Sequence, residues 1–332
     1  MANSPVLAIP SVDPAFEASV AAGLEDVEEQ LAEAVKSDDA MLAASSRHLV
    51  AAGGKRFRPL LTLTVGHFGD PDAPGVVPAA VVVELTHVAT LYHDDVMDQA
   101  ALRRGAPSVN AMWGNTVAIL TGDFLFARAS EIAADLGIES VRIQARTFER
   151  LVHGQLRETL GPKEDEDPVA HYLGVLSDKT ASLIATSARL GALHAGVSDG
   201  AVDVLARYGE SIGMAFQLAD DVLDIASEST VLGKASGTDL REGVPTLPVL
   251  YARQSTDPAD ARLRALLDGP LNEEAVHAEA LQLLRAHPAM ARARAVVRRY
   301  ANDARSVLGP LPRIPARRAL EALCDSVVTR TA

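Results

Sequence analysis

Cysteine is nearly absent: Cys324 is the only one in 332 residues. That excludes an internal disulfide framework and a multi-thiolate metal site, and Cys324 reads as a buried structural thiol. Aromatic residues are scarce at 4%, too few for the stacking platforms of single-stranded nucleic-acid binders. Positive charge is in deficit, and a formal net charge of −13 opposes wholesale nucleic-acid binding. Any anionic ligand must then be held by local basic islands or bridging metal ions. The opening stretch, MANSPVLAIPSVDPAF, lacks an early positive charge and a long apolar core. Residues 1–14 therefore read as a loose leader and not as a signal peptide. No predominantly apolar run of ~18 residues stands out, which predicts no membrane-spanning helix and a cytoplasmic protein by default.

What is present is helix-forming. From about Ala15 onward, alanine, leucine, glutamate and arginine dominate, and apolar residues recur at three- and four-residue intervals. Gly, Pro and Asp clusters such as FGDPDAPGVVP (68–78), LGPKEDEDP (160–168) and EGVP (242–245) mark loops or helix ends. No convincing alternating strand interrupts the pattern. Residues 15–332 are expected to form one all-α domain of ten or more helices. Pro78 suits a first helical position, and Asp199 a cap for a second long helix in which Gly209 and Gly213 leave a small-residue face for close packing.

Two near-copies of one acidic cluster lie on these long helices: HDDVMD, with Asp94, Asp95 and Asp98, and ADDVLD, with Asp220, Asp221 and Asp224. Carboxylates at i and i+4 stack on one helical face about a turn apart. Two like charges at ~4 Å repel by ~4 kcal/mol at an effective dielectric of about 20, so such a face needs a counter-ion. Hard carboxylate oxygens suit Mg²⁺, which also holds phosphate groups. One such cluster could be a solvated helix turn. Two with the same layout argue for paired metal motifs.

Basic islands complement them. GGKRFRP supplies Lys55, Arg56 and Arg58; Arg103 and Arg104 follow the first motif; Lys179-Thr180 and Lys234 come later. Carboxylate-held metal ions together with Arg and Lys donors make a diphosphate clamp. His87 lies seven residues before Asp94, about 20° away around a regular helix, so it faces the same side and reads as a phosphate donor.

The motifs GGKRFRP, HDDVMD with RRG, GDFLFARA, DKTASL, FQLADDVLD and GKASGTDLREGVPTLP occur in this order from about Ala51 to Tyr251. In that order they resemble the trans-isoprenyl diphosphate synthases, the polyprenyl synthetase family, and within it the long-chain actinobacterial enzymes that make quinone side chains. The resemblance implies a helical bundle around a central cavity, usually as a homodimer. It assigns Mg²⁺, three ions per active site, to Asp94, Asp95, Asp98, Asp220, Asp221 and Asp224, with Asp94, Asp98, Asp220 and Lys179 as the catalytic set. Lys55, Arg58, His87 and Arg104 match the isopentenyl diphosphate site. Arg103, Lys179, Thr180, Gln217 and Lys234 match the residues that hold the allylic diphosphate. Val244 departs from the family, many members of which carry lysine there.

The implied reaction ionises the allylic diphosphate, adds the isopentenyl double bond to the cation, and loses a proton to the departing diphosphate. Small residues at Ala89 and Thr90, where short-chain relatives place bulky floors, imply a long product. A terpene cyclase would need no isopentenyl diphosphate site, and a non-catalytic subunit would lack one acidic motif; both motifs are complete here. A structural helical protein with acidic turns is the remaining alternative.

Overall fold

The computed structural model describes residues 13–227 and 236–331. It is all-α, 77% helical and 1% strand. The first helices are α1 (Pro14–Ala34), α2 (Ala40–Ala51), α3 (Phe57–Gly66), α4 (Val76–Met97), α5 (Val109–Trp113) and α6 (Asn115–Leu136). The middle of the chain forms α7 (Ile138–Leu160), α8 (Pro168–Leu176), α9 (Ser182–His194), α10 (Asp199–Ala226) and α11 (Thr238–Glu242). The last are α12 (Leu247–Arg253), α13 (Ala261–Leu267), α14 (Glu274–Ala286), α15 (Pro288–Val307) and α16 (Pro315–Arg330). The described residues separate into two compact units, one of residues 13–149, 183–209 and 310–322, the other of 150–182, 210–227, 236–309 and 323–331.

In the first unit α4 packs against α6, α3 and α1. Its central residues Val81, Leu85, Val88, Ala89 and Tyr92 are fully buried in one apolar cluster with Leu31, Leu49 and Leu125. This helix is long and apolar enough to cross a membrane by composition, contrary to the expectation from sequence, but 67% of that window is buried inside the fold. Apolar residues all round a helix are what a core helix needs when its neighbours cover every face. It begins at Val76, two residues before Pro78, and proline is tolerated there because first-turn N–H groups have no intrahelical acceptor.

A two-residue antiparallel pair, β1 (Leu102–Arg103) and β2 (Ala106–Pro107), interrupts the helices. Arg104 and Gly105 form its turn with φ of 54° and 77°. Positive φ at both central positions is the hairpin turn whose twist matches its strands. In the second unit, α12 packs on α15, α13, α8 and α14.

Candidate active site

The first acidic motif closes α4. Asp98 is the exposed C-cap residue and Asp94, one turn earlier, is half-buried. Asp95 is different: it is 1% exposed, and Arg103 Nε donates to its Oδ1 at 2.6 Å. Burial raises the Asp95 pKa, and the Arg103 guanidinium works against that rise. Its second oxygen, Oδ2, is buried with no hydrogen-bond partner among the described residues. A step of one residue turns a helix by about 100°, so Asp95 cannot share the Asp94–Asp98 face. Arg103, expected at the allylic diphosphate, is the side chain that holds it.

On the same helix, further into unit one, lies the cationic pocket. His87 sits a turn beyond Glu84, which is buried and accepts from Arg56 Nη1 at 2.8 Å. Arg56 also donates to both oxygens of Glu28 and to the Val50 carbonyl. Burial works against the charge on Arg56, but Glu28 and Glu84 together hold its pKa above the usual value. Arg56 is therefore a bracket, with four of its five N–H groups on protein acceptors. Arg104 donates through Nη1 to the carbonyls of Leu49, at 2.9 Å, and of Gly53. Arg58 has a buried Nε without a partner among the described residues, and burial depresses its pKa to about 10, so it is still cationic at neutral pH. Burial, reinforced by Arg58, Arg104, Arg56 and Arg103, pushes His87 well below the ordinary imidazole value. Neutral His87 offers one N–H. Lys55 is exposed beside this group in the chain.

The second motif closes α10 in the other unit and is also divided. Asp221 is 5% exposed; Tyr172 donates to its Oδ2 and Gln217 Nε2 to its Oδ1 at 3.0 Å. Burial raises Asp221 to about 7 against those two donors, and Asp239 and Asp220 add to the rise. Asp220 is half-buried and accepts from Arg330 Nη2 at 2.9 Å. Asp224 acts as a helix cap: its two oxygens accept from the Thr238 and Asp239 amides, each at 3.1 Å, at the start of α11. The metal ligands expected at Asp95, Asp221 and Asp224 are thus carboxylates already engaged by the protein.

Lys179 and Thr180 lie in a π-helical turn, Ser177–Ala181, inserted between α8 and α9. Such insertions are frequent at functional sites. Arg150 grips the turn, donating to Asp178 at 2.9 Å, to Ser177, and to Glu210 at 2.8 Å. Lys179 pairs with Glu158, and Thr180 Oγ1 donates to Gln217 Oε1 at 3.5 Å. The structure therefore brings Thr180, Gln217 and Asp221 into one chain of hydrogen bonds. Lys234 lies outside the described residues. Val244 is exposed, and its amide donates to the Asp239 carbonyl at 2.8 Å. Ala89 is fully buried; Thr90 is half-buried, with its hydroxyl on the His87 carbonyl.

Sequence reasoning passed over Glu84, Arg150, Tyr172, Asp239 and Arg330. Glu84 carried a signal: it is the single Asp, Glu, Lys or Arg between Val76 and Tyr92. The others show none, because their partners are distant in the chain.

Among the described residues no three His, Cys, Asp or Glu side chains converge as a closed metal cage. That does not suit a structural zinc site, which needs about four protein ligands. It does suit Mg²⁺, which keeps waters and binds through one or two carboxylates completed by phosphate oxygens. The Asp94–Asp98 face and Asp220 have the hard-oxygen chemistry for this.

Paired carboxylate motifs and a guanidinium pocket on an all-α scaffold define a class: helical proteins equipped for polyanionic ligands and divalent cations. The chain matches the polyprenyl synthetase family over residues 39–284 and belongs to that family. It is 53% identical to a nonaprenyl diphosphate synthase of Mycobacterium tuberculosis over 96% of this chain and 95% of that one. Its fold is similar to geranylgeranyl pyrophosphate synthase from Corynebacterium glutamicum complexed with calcium and isoprenyl diphosphate. That likeness has a TM-score of 0.88 and 44% identity, covering 96% of this chain and 98% of that one. A decaprenyl diphosphate synthase from Rhodobacter capsulatus gives a TM-score of 0.87 at 31% identity, covering 96% and 99%.

Proposed function

We propose that this chain is a Mg²⁺-dependent trans-prenyltransferase that condenses isopentenyl diphosphate with an allylic diphosphate to build a long all-trans polyprenyl diphosphate for quinone side chains. The observation that carries this reading is the pocket of Arg58, Arg104 and neutral His87 on the helix that ends in Asp94 and Asp98. The 53% identity to a nonaprenyl diphosphate synthase supports the long product.

In this reading Arg58, Arg104, Lys55 and the His87 N–H take the isopentenyl diphosphate by charge-assisted hydrogen bonds. Lys179, Thr180 and Gln217, and Lys234 in the sequence, take the allylic diphosphate. Asp94, Asp98 and Asp220 would hold the Mg²⁺ ions, expected to number three. When bound, these ions supply charge neutralisation that turns diphosphate into a tolerable leaving group. Positioning the isopentenyl double bond against the allylic carbon converts an encounter between two molecules into one oriented step. The allylic C–O bond breaks first, the isopentenyl double bond then forms a new carbon–carbon bond to the resulting cation, and the lost proton leaves with the released diphosphate. Ala89 and Thr90 leave room for a growing chain.

We read residues 15–332 as one functional domain, because the family match draws on both units. A homodimer belongs to the same proposal: Ile119 and Leu120 on α6 expose apolar surface that a second copy would cover. So does the cytoplasmic location, which fractionation of expressing cells tests.

The test is incubation of purified protein with isopentenyl diphosphate and each allylic primer in turn, with Mg²⁺ and then with EDTA, followed by chromatography of dephosphorylated products. Long products that vanish with the metal are expected. No consumption of isopentenyl diphosphate by the protein alone would refute the reading.

A further inference from the structure

Glu84 is a buried carboxylate, 2% exposed, that no step of the proposed reaction uses. Arg56 Nη1 donates to its Oε1 at 2.8 Å, and Arg104 Nη2 lies 3.9 Å from the same oxygen. Both arginines have left-handed backbones, with φ of 45° and 54°. Among the described residues only one other non-glycine residue, Gln99, has positive φ. A left-handed arginine is strained, and strain persists where the surroundings over-determine it. Here two strained loops, 53–56 and 102–106, are tied to one carboxylate. Arg56 precedes α3, whose first turn carries Arg58; Arg104 also clamps back onto the Gly53 carbonyl. Glu84 is the common anchor.

We propose that Glu84 is a positioning residue for the diphosphate pocket, acting through Arg56 and Arg104 to hold both left-handed loops so that Arg58, Lys55 and Arg104 converge on one anion. This rests on the assignment of that pocket to isopentenyl diphosphate. A rival account makes Glu84 a simple counter-charge. The two differ in sign. If Glu84 only subtracts from the cationic field, Glu84→Gln leaves more net positive charge and tightens diphosphate binding. If it positions the loops, the same change loosens binding, since an amide keeps the shape but neither the charge-assisted hydrogen bond to Arg56 nor the charge that faces Arg104.

The experiment compares steady-state kinetics of the wild type and Glu84→Gln, with amide hydrogen exchange of both ligand-free proteins. The KM for isopentenyl diphosphate should rise about tenfold or more, with the allylic KM unchanged, as expected for a loss confined to one subsite. Exchange should quicken in 53–56 and 102–106 and not in α6. Adding Arg56→Gln to Glu84→Gln should cost no more than either alone, because the two act as a unit. An isopentenyl diphosphate KM that falls or stays put, or loop exchange that does not change, overturns the proposal. Should Glu84→Gln fail to fold, Glu28→Gln loosens the same arginine from its exposed side. It should raise the same KM selectively, and an unchanged KM there overturns the proposal equally. A wild type that consumes no isopentenyl diphosphate sinks the functional reading, while the exchange comparison still decides whether Glu84 holds the loops.

Discussion

Gly154 on α7 is where a single added carbon should reach the chemistry. A Cβ there would lie 2.6 Å from the Lys179 amide nitrogen, 3.0 Å from Asp178 Cβ and 3.1 Å from the Asp178 carbonyl carbon. Ordinary contact begins near 3.4 Å, so Gly154→Ala must drive the π-helical turn and α7 apart by about 0.8 Å. Two of the three atoms are backbone and cannot swing aside. The turn is also pinned by Arg150 through Asp178, Ser177 and Glu210. Overpacking of this sort costs ~1–3 kcal/mol, and alanine's better helix propensity returns ~1 kcal/mol, leaving a net loss of ~0–2 kcal/mol. Activity should suffer more than stability, since a ~1 Å misplacement of a substrate-positioning group can cost ~100-fold. The assay is initial rate against allylic diphosphate at saturating isopentenyl diphosphate, with thermal melts alongside. Gly200→Ala is the control: nothing lies within 4 Å of its Cβ, so rate should hold and stability should rise by up to ~1 kcal/mol. Wild-type kinetics in Gly154→Ala would show that the placement of Lys179 and Thr180 does not limit turnover.

Asp224→Ala should destabilise α11 by ~1–2 kcal/mol through loss of a cap, and amides 238–242 should exchange faster even without divalent ions. An effect seen only when metal is present would make Asp224 a ligand instead. Acid should act through His87, whose pKa is held well below 6.5 by burial and four arginines. As pH falls below about 6.5 the unfolded imidazole gains a proton that the folded one refuses. Stability is lost by up to ~1.4 kcal/mol per pH unit until the folded ring also titrates. His87→Gln should remove that part of the difference between urea midpoints at pH 7 and 5.5, and equal pH dependence in both proteins would contradict it. Ala89→Phe adds a ring at a fully buried position, so it should cost ~1–3 kcal/mol and shorten the product; an unchanged chromatogram from folded protein counts against the chain-length role.

The helices were legible because helix-forming sequence runs unbroken for twenty residues or more, apolar all round in α4 and with a three- and four-residue apolar period in α10. Close packing at Gly209 was legible too, where a Cβ would meet Ala185 Cα at 2.7 Å. The hairpin around Arg104-Gly105 was not, since two-residue strands are too short to alternate. Nor was the π-helical turn at 177–181, whose extra residue leaves local composition unchanged. Side-chain partners were the least legible. Tyr172 and Asp221 stand 49 residues apart, and Arg330 and Asp220 stand 110 apart, so only the folded chain joins them.

Helical geometry explains why three aspartates per motif do not make three equivalent carboxylates. In D-D-x-x-D the first and last share a face, and the second is rotated by about 100° toward the core. A buried carboxylate needs compensation, and the two motifs supply it differently. In the first, the inner Asp95 receives a cation, Arg103. In the second, the inner Asp221 receives, among the described residues, the neutral donors Tyr172 and Gln217, and burial carries it to about 7. There the cation, Arg330, goes to the outer Asp220 instead. Near-identical sequence thus yields opposite placements of compensating charge. Asp220 is a carboxylate already shared with a guanidinium, whereas Asp98 is an exposed carboxylate at a helix C-terminus, where the helix dipole adds further negative potential. Repetition of the motif therefore repeats the spacing of the oxygens and leaves their electrostatics to the fold around each copy.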